Sequence, residues 1–149
     1  MDNMTNKEYQ EYVKKKIPKP PYLRNAIRAF LTGGIICLIG QIIRNMLFSF
    51  GLNENQVVTG TAIILVFIGS LLTGLGVYDK IGKFGGAGAV IPITGFANSI
   101  VSTAMEYKRE GYIFGVASKM FTIAGPVLVY GIGGSIVVGL LYIIFSSGR

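Results

Sequence analysis

Long runs without formal charge, separated by short charged clusters, organise this chain. The run between Glu54 and Asp79 holds 24 uncharged residues, that between Lys83 and Glu106 holds 22, and that between Lys119 and Arg149 holds 29. A helix rises 1.5 Å per residue, so about 20 residues cover the ~30 Å hydrocarbon layer of a bilayer. Each run is long enough to cross. An earlier candidate covers residues 26–48, where Arg28 and Arg44 bracket 15 uncharged positions and can snorkel to the two interfaces. The pattern predicts an all-α integral membrane protein with three to four transmembrane helices. The spans are expected at about 26–48, 57–78 and 123–145, with one broken or re-entrant polar segment at 84–105.

The connections orient these spans. "SFGLNENQ" carries no Lys or Arg and fits the outer side, whereas "YDKIGK" reads as an inside loop with two lysines. The segment between them and "EYKREG" is unlike the others: its 22 residues include four Gly, one Pro and five polar residues. Glycines and Pro92 predict a backbone break near 85–92. Such a break is tolerated at membrane depth only where it is buried in protein or faces water. If the segment crossed fully, Lys108 and Arg109 would lie outside; if it dipped and returned, they would lie inside with Lys80 and Lys83. The charge rule favours the re-entrant form. In the last span, Pro126 marks a start or a kink. Gly131, Ser135 and Gly139 form a small-xxx-small stripe, which suits packing within one subunit or between subunits.

"GFANSIVSTAMEYK", residues 95–108, carries the candidate chemistry. Wound as a helix, Thr94, Asn98, Ser99, Ser102, Thr103 and Glu106 fall on one half of the wheel. Phe96, Ala97, Ile100, Val101, Ala104 and Met105 fall on the other. Three readings fit this amphipathic half-cylinder: a helix flat on the membrane, polar groups pairing with neighbouring helices, or a wall of an aqueous path. Under the last, those six residues are the candidate pore lining. Lys80, Lys83, Lys108, Arg109 and Lys119 would attract anions toward it, although each equally reads as a topology signal. The preceding "KFGGAGA" could present backbone amides to an anion or form a plain flexible turn.

Composition narrows the classes. The chain has 149 residues, 14% charged, with 14 basic against seven acidic residues and a formal net charge of +7. Half of the basic residues lie in its first 28 positions, and residues 1–22 form an expected basic cytoplasmic arm. "EYVKKKIPKPPYLRN" predicts a short amphipathic helix stopped by Pro18, Pro20 and Pro21. The arm orients the first span, and it could also hold anionic headgroups or a soluble partner. No small-residue cleavage site follows the apolar run, so the first span is expected to stay in place. There is one cysteine, Cys37, and no histidine. No metal site, cofactor or paired acid and base is expected, and the chain reads as no enzyme. Nucleic acid is not an expected partner.

Three stretches, "KPPYLRNAIRAFLTGGIICLIGQ", "LTGLGVYDKIGKFGGAGAVIPITGFANSI" and "EYKREGYIFGVASKMFTIAGPVLVYG", resemble the SpoVA family of sporulation membrane proteins of endospore-forming bacteria. The similarity runs from about Tyr9 to Ile144; "GVYDKIGKFGGAGAVIPITGFANS" is its most specific part, and the arm ending in "KPP" is similar to the AC type. The resemblance implies a channel or transport complex in the forespore or spore inner membrane. That complex would move dipicolinic acid with calcium into the spore and out at germination, together with other SpoVA membrane subunits and a soluble partner. It also implies an association with tension-sensitive channel behaviour. Alternatives within the same frame are a small mechanosensitive channel with little solute selectivity, or a non-conducting scaffold subunit.

Overall fold

The computed structural model describes residues 5–16 and 21–146, and among these every regular element is helical. The arm begins with α1, Asn6–Lys16. Thr5 and Glu8 form its capping contact, the Thr5 backbone N–H and hydroxyl both donating to Oε2 of Glu8 at 2.9 Å. Those bonds hold the Glu8 carboxyl below its usual range. Pro18 and Pro20, expected to stop this helix, lie outside the described residues.

Two long helices follow as an antiparallel pair: α2, Tyr22–Ser49, and α3, Glu54–Gly74. Both are long and apolar enough to cross a membrane. The turn between them is tied by an Asn53–Gln56 capping box and by the Arg44–Glu54 ion pair at 3.4 Å. Relative to the expected 57–78, α3 starts earlier, at its cap, and ends earlier, where Gly74 and Gly76 interrupt the helix.

The stretch expected as a loop, "YDKIGK", is instead helical as α4, Tyr78–Gly85. The difference comes from its two faces. Tyr78 and Gly85 are buried against the rest of the chain while Asp79, Lys80 and Lys83 stay exposed, and helical winding lets both conditions hold. The break expected at 85–92 occurs twice. Gly86 takes φ +51, a left-handed conformation that favours glycine, and Pro92 is extended at ψ 162. Between them lies the single turn α5, Ala87–Val90; beyond them α6 spans Ile93–Glu106.

The course of α6 follows from its register on α3, its main packing partner. A Cβ at Gly69 would lie 2.8 Å from the Thr94 carbonyl oxygen, and Thr73 bonds Asn98 one turn later. Both pairs are offset by 25 positions, so α6 runs parallel to α3. It returns toward the end from which α4 set out. With 14 residues it is about 21 Å long, short of the ~30 Å hydrocarbon layer. Segment 78–106 is therefore a broken hairpin beside two spanning helices. A 3₁₀ turn, Tyr107–Glu110, and a π-helical turn, Tyr112–Ala117, lead into α7, Ser118–Ser146, which contains Pro126. Together Tyr112–Ser146 is the third stretch long and apolar enough to cross, and no residue of α7 is buried. The chain is an all-helical membrane protein with three candidate spans.

Candidate functional site

The broken hairpin exposes backbone polar groups that water cannot solvate at membrane depth, and the fold answers with side chains. Pro92 has no N–H to donate back to the turn before it. No backbone amide among the described residues reaches the carbonyl of Ala89, a residue with no exposed surface. The Tyr78 hydroxyl fills that role, donating to the Ala89 oxygen at 2.8 Å and sharing a 2.7 Å hydrogen bond with the Thr94 hydroxyl. Tyr78 and Thr94 are each only 4% exposed, so this is a sealed contact. A second contact ties α6 to α3: the Thr73 hydroxyl lies 2.7 Å from the Gly69 carbonyl and 2.9 Å from Asn98 Oδ1, alternative acceptors of one proton.

Beside these contacts lies a pocket of about 420 Å³. Its wall brings Asp79, Gly82 and Lys83 of α4 together with Gly95, Asn98 and Ser99 of α6, over the Tyr78 ring. The volume falls within the range of small-ligand sites, roughly 300–1,000 Å³. Its lining residues thus include one acid, one base, an amide and a hydroxyl residue. The Asn98 amide NH₂ has no hydrogen-bond partner among the described residues. Ser99 donates to the Gly95 carbonyl, which leaves its oxygen free to accept.

The predicted half-cylinder is thus divided by the structure. Thr94 and Asn98 bond neighbouring elements, the behaviour of polar groups that hold helices together. Ser99 joins the pocket wall. Ser102 and Thr103 are half-buried and both donate back to the Ser99 carbonyl, while Glu106 is exposed at the end of the helix. Asn98 sits opposite Thr73, one residue from the end of α3, so positions 99–106 continue past that end rather than along the length of the span.

The five basic candidates separate as well. Lys83 lies on the pocket wall, and Lys80 lines an apolar cleft on the other face of α4. Lys108 and Arg109 are exposed in the 3₁₀ turn, and the Lys119 ammonium stacks over the Tyr107 ring at 4.5 Å. Gly131, Ser135 and Gly139 line a groove of about 640 Å³ on α7, against which no described element packs.

Two residues of the site escaped the sequence reading. Tyr78 looked like the tail of a span; the available signal was Pro92, whose missing N–H requires a donor from elsewhere. Asp79 only marked the end of an uncharged run, and the fold alone sets it on one pocket wall with Asn98.

Comparison with known proteins agrees with the architecture. The family model described as "SpoVAC/SpoVAEB sporulation membrane protein" matches residues 25–141. The chain is 48% identical to "Stage V sporulation protein AC" of Bacillus subtilis (strain 168), over 97% of this chain and 98% of that protein. No solved structure matches.

Proposed function

Since this chain belongs to the SpoVAC/SpoVAEB family of sporulation membrane proteins, we propose that it is a subunit of a membrane complex that moves dipicolinic acid, with calcium, across the spore inner membrane. Other SpoVA-type membrane subunits and a soluble partner complete that complex in this reading. The chain acts as a passive conduit element, since it carries no nucleotide-binding motif that would drive pumping.

The observation that supports the reading is the pocket between α4 and α6. Its lining combines Lys83 with Asp79 and two neutral polar side chains, Asn98 and Ser99. Dipicolinate alone is a planar dianion, which the Asp79 carboxylate would repel. Its one-to-one chelate with calcium is neutral overall and presents both carboxylate oxygens and a cation. A mixed wall of one cation, one anion, a donor and an acceptor is complementary to that chelate. Neutral polar groups also solvate a passing solute without holding it tightly. Lys80, Lys108 and Arg109 would concentrate the free dianion at the membrane surface, before it pairs with calcium.

The experiment is flux of calcium dipicolinate from vesicles containing the purified complex, without an energy source. Lys83→Ala and Asp79→Asn touch exposed side chains on the pocket wall, and each is expected to reduce flux while assembly survives. Unchanged flux in both, with severe loss on deleting residues 1–22, would instead establish a scaffold role. A second reading, a tension-gated channel with little solute preference, draws on α7: beyond its first turns, which pack on α6, residues 127–146 are exposed throughout and free to move with the bilayer. Equal passage of unrelated solutes of similar size under membrane tension would favour it.

A further inference from the structure

On the face of α4 opposite the polar pocket is a second cavity, of about 480 Å³, between α2, α3 and α4. Ile36 and Ile39 from α2, Leu65 and Ile68 from α3, and Ile81 and Phe84 from α4 supply its walls. The Tyr78 hydroxyl at its edge is committed to Ala89 and Thr94, and Thr32 adds one further hydroxyl to an otherwise apolar lining. The body of the cleft offers a dianion or its metal chelate no charged partner.

The cation at its mouth gives the cavity a chemical direction. Lys80 lines the cleft, is exposed, and makes no ion pair among the described residues. Arg28 lies with its guanidinium 5.0 Å from the ring of Phe84, itself a wall residue. The cleft therefore has an apolar body with one cation, Lys80, at its mouth, while Arg28 lines the adjoining pocket that shares Phe84.

We propose that this cleft binds an anionic phospholipid, one acyl chain lying among the isoleucines and leucines and the headgroup phosphate at Lys80. Its dimensions agree. From Thr32 to Ile39 on α2, and from Leu65 to Leu72 on α3, the walls run seven residues, about 10 Å, or a third of the hydrocarbon layer. That length belongs to one leaflet. A helix from a second copy is too bulky: about 10 Å across, the same length of helix occupies roughly 800 Å³. An apolar cavity does not hold ordered water, and an acyl chain matches its mostly apolar lining. Tyr78 stands between this cleft and the polar pocket, so an occupied cleft would press on the wall that seals the broken hairpin. The inference does not depend on the transported solute.

The test uses the full chain in detergent with phosphatidylglycerol or phosphatidylcholine of identical acyl chains, read by native mass spectrometry. Phosphatidylglycerol should be retained in preference. Lys80→Ala should weaken its retention about fivefold, the factor equivalent to ~1 kcal/mol for a lysine at an anionic surface. Arg44→Ala, near the opposite end of α2, should not alter the preference. The chain has no tryptophan, so Ile36→Trp provides a single reporter, which phosphatidylglycerol brominated in the acyl chain should quench more strongly than the brominated phosphatidylcholine. Equal retention of the two lipids overturns the proposal. So does full retention by Lys80→Ala, a reporter indifferent to bromination, or a dimer free of lipid whose partner shields the reporter.

Discussion

Tyr78→Phe removes one oxygen atom and tests how the broken hairpin is held. The hydroxyl donates to the carbonyl of Ala89 and shares a bond with Thr94, in a contact 4% exposed or less. Its loss leaves the Ala89 carbonyl unpaired. An unsatisfied buried group costs about 1–3 kcal/mol, whereas side-chain bonds in membrane proteins average only ~0.6 kcal/mol because the unfolded reference finds other partners. Here the acceptor is backbone in front of a proline, without a substitute donor, so the upper scale applies. The amides of Gly95 and Phe96, which bond the Pro92 carbonyl at 2.8 and 3.3 Å, report local opening of the hairpin. Their hydrogen exchange should accelerate about fivefold to 150-fold, the range equivalent to 1–3 kcal/mol. Amides in the middle of α2 should not change. In a double-mutant cycle with Thr94→Val the two effects should be less than additive. Unchanged exchange in Tyr78→Phe would refute the reasoning, since it would mean that water already reaches the Ala89 carbonyl.

Gly88→Ala places a Cβ on the backbone of Ala29 and should cost about 1–3 kcal/mol or more, lowering the thermal midpoint in detergent. Gly34→Ala, with open space around it, should be neutral or gain about 0.5–1 kcal/mol of helix propensity. In a Cys37→Ser background, single cysteines replacing Thr94 and Ala97 should resist water-soluble thiol reagents, whereas one replacing Glu106 should react readily. Protection of positions 98, 102 and 106 alike would remove the aqueous wall. Because Glu8 is held below its usual range by Thr5, the cap on α1 is present above the unfolded carboxylate pKa. It should be lost as pH falls through the lowered value, read as loss of amide protection at residues 6–9, and Thr5→Val should abolish that dependence.

The third segment and the last span show where a one-dimensional reading stops. Glycine and proline between 85 and 92 announced a break because their backbone limits are local properties, and Gly86 and Pro92 do interrupt the chain there. The same limits did not say what would repair the break. Tyr78 does so from seven residues or more upstream, which only the packing of α4 on α2 and α5 and the Tyr78–Thr94 contact decide. Likewise the amphipathic half of α6 was visible in the spacing of Asn98, Ser102 and Glu106, but amphipathicity does not distinguish water from a neighbouring helix. Gly69 resolves it for part of the face: its missing side chain lets Thr94 approach, and Thr73 then meets Asn98.

By itself the amino-acid order determined the membrane class, the approximate spans, the broken segment and the kinship carried by "GVYDKIGKFGGAGAVIPITGFANS". Each follows from rules acting along the chain: the length of uncharged runs against bilayer thickness, and the backbone preferences of glycine and proline. The tertiary structure alone decided that α6 runs parallel to α3 and that "YDKIGK" winds into a helix. It also decided that α4 separates a polar pocket from an apolar cleft. Those outcomes depend on which surfaces meet at distances far apart in sequence, and inside a bilayer that choice rests on close packing and on pairing every buried polar group.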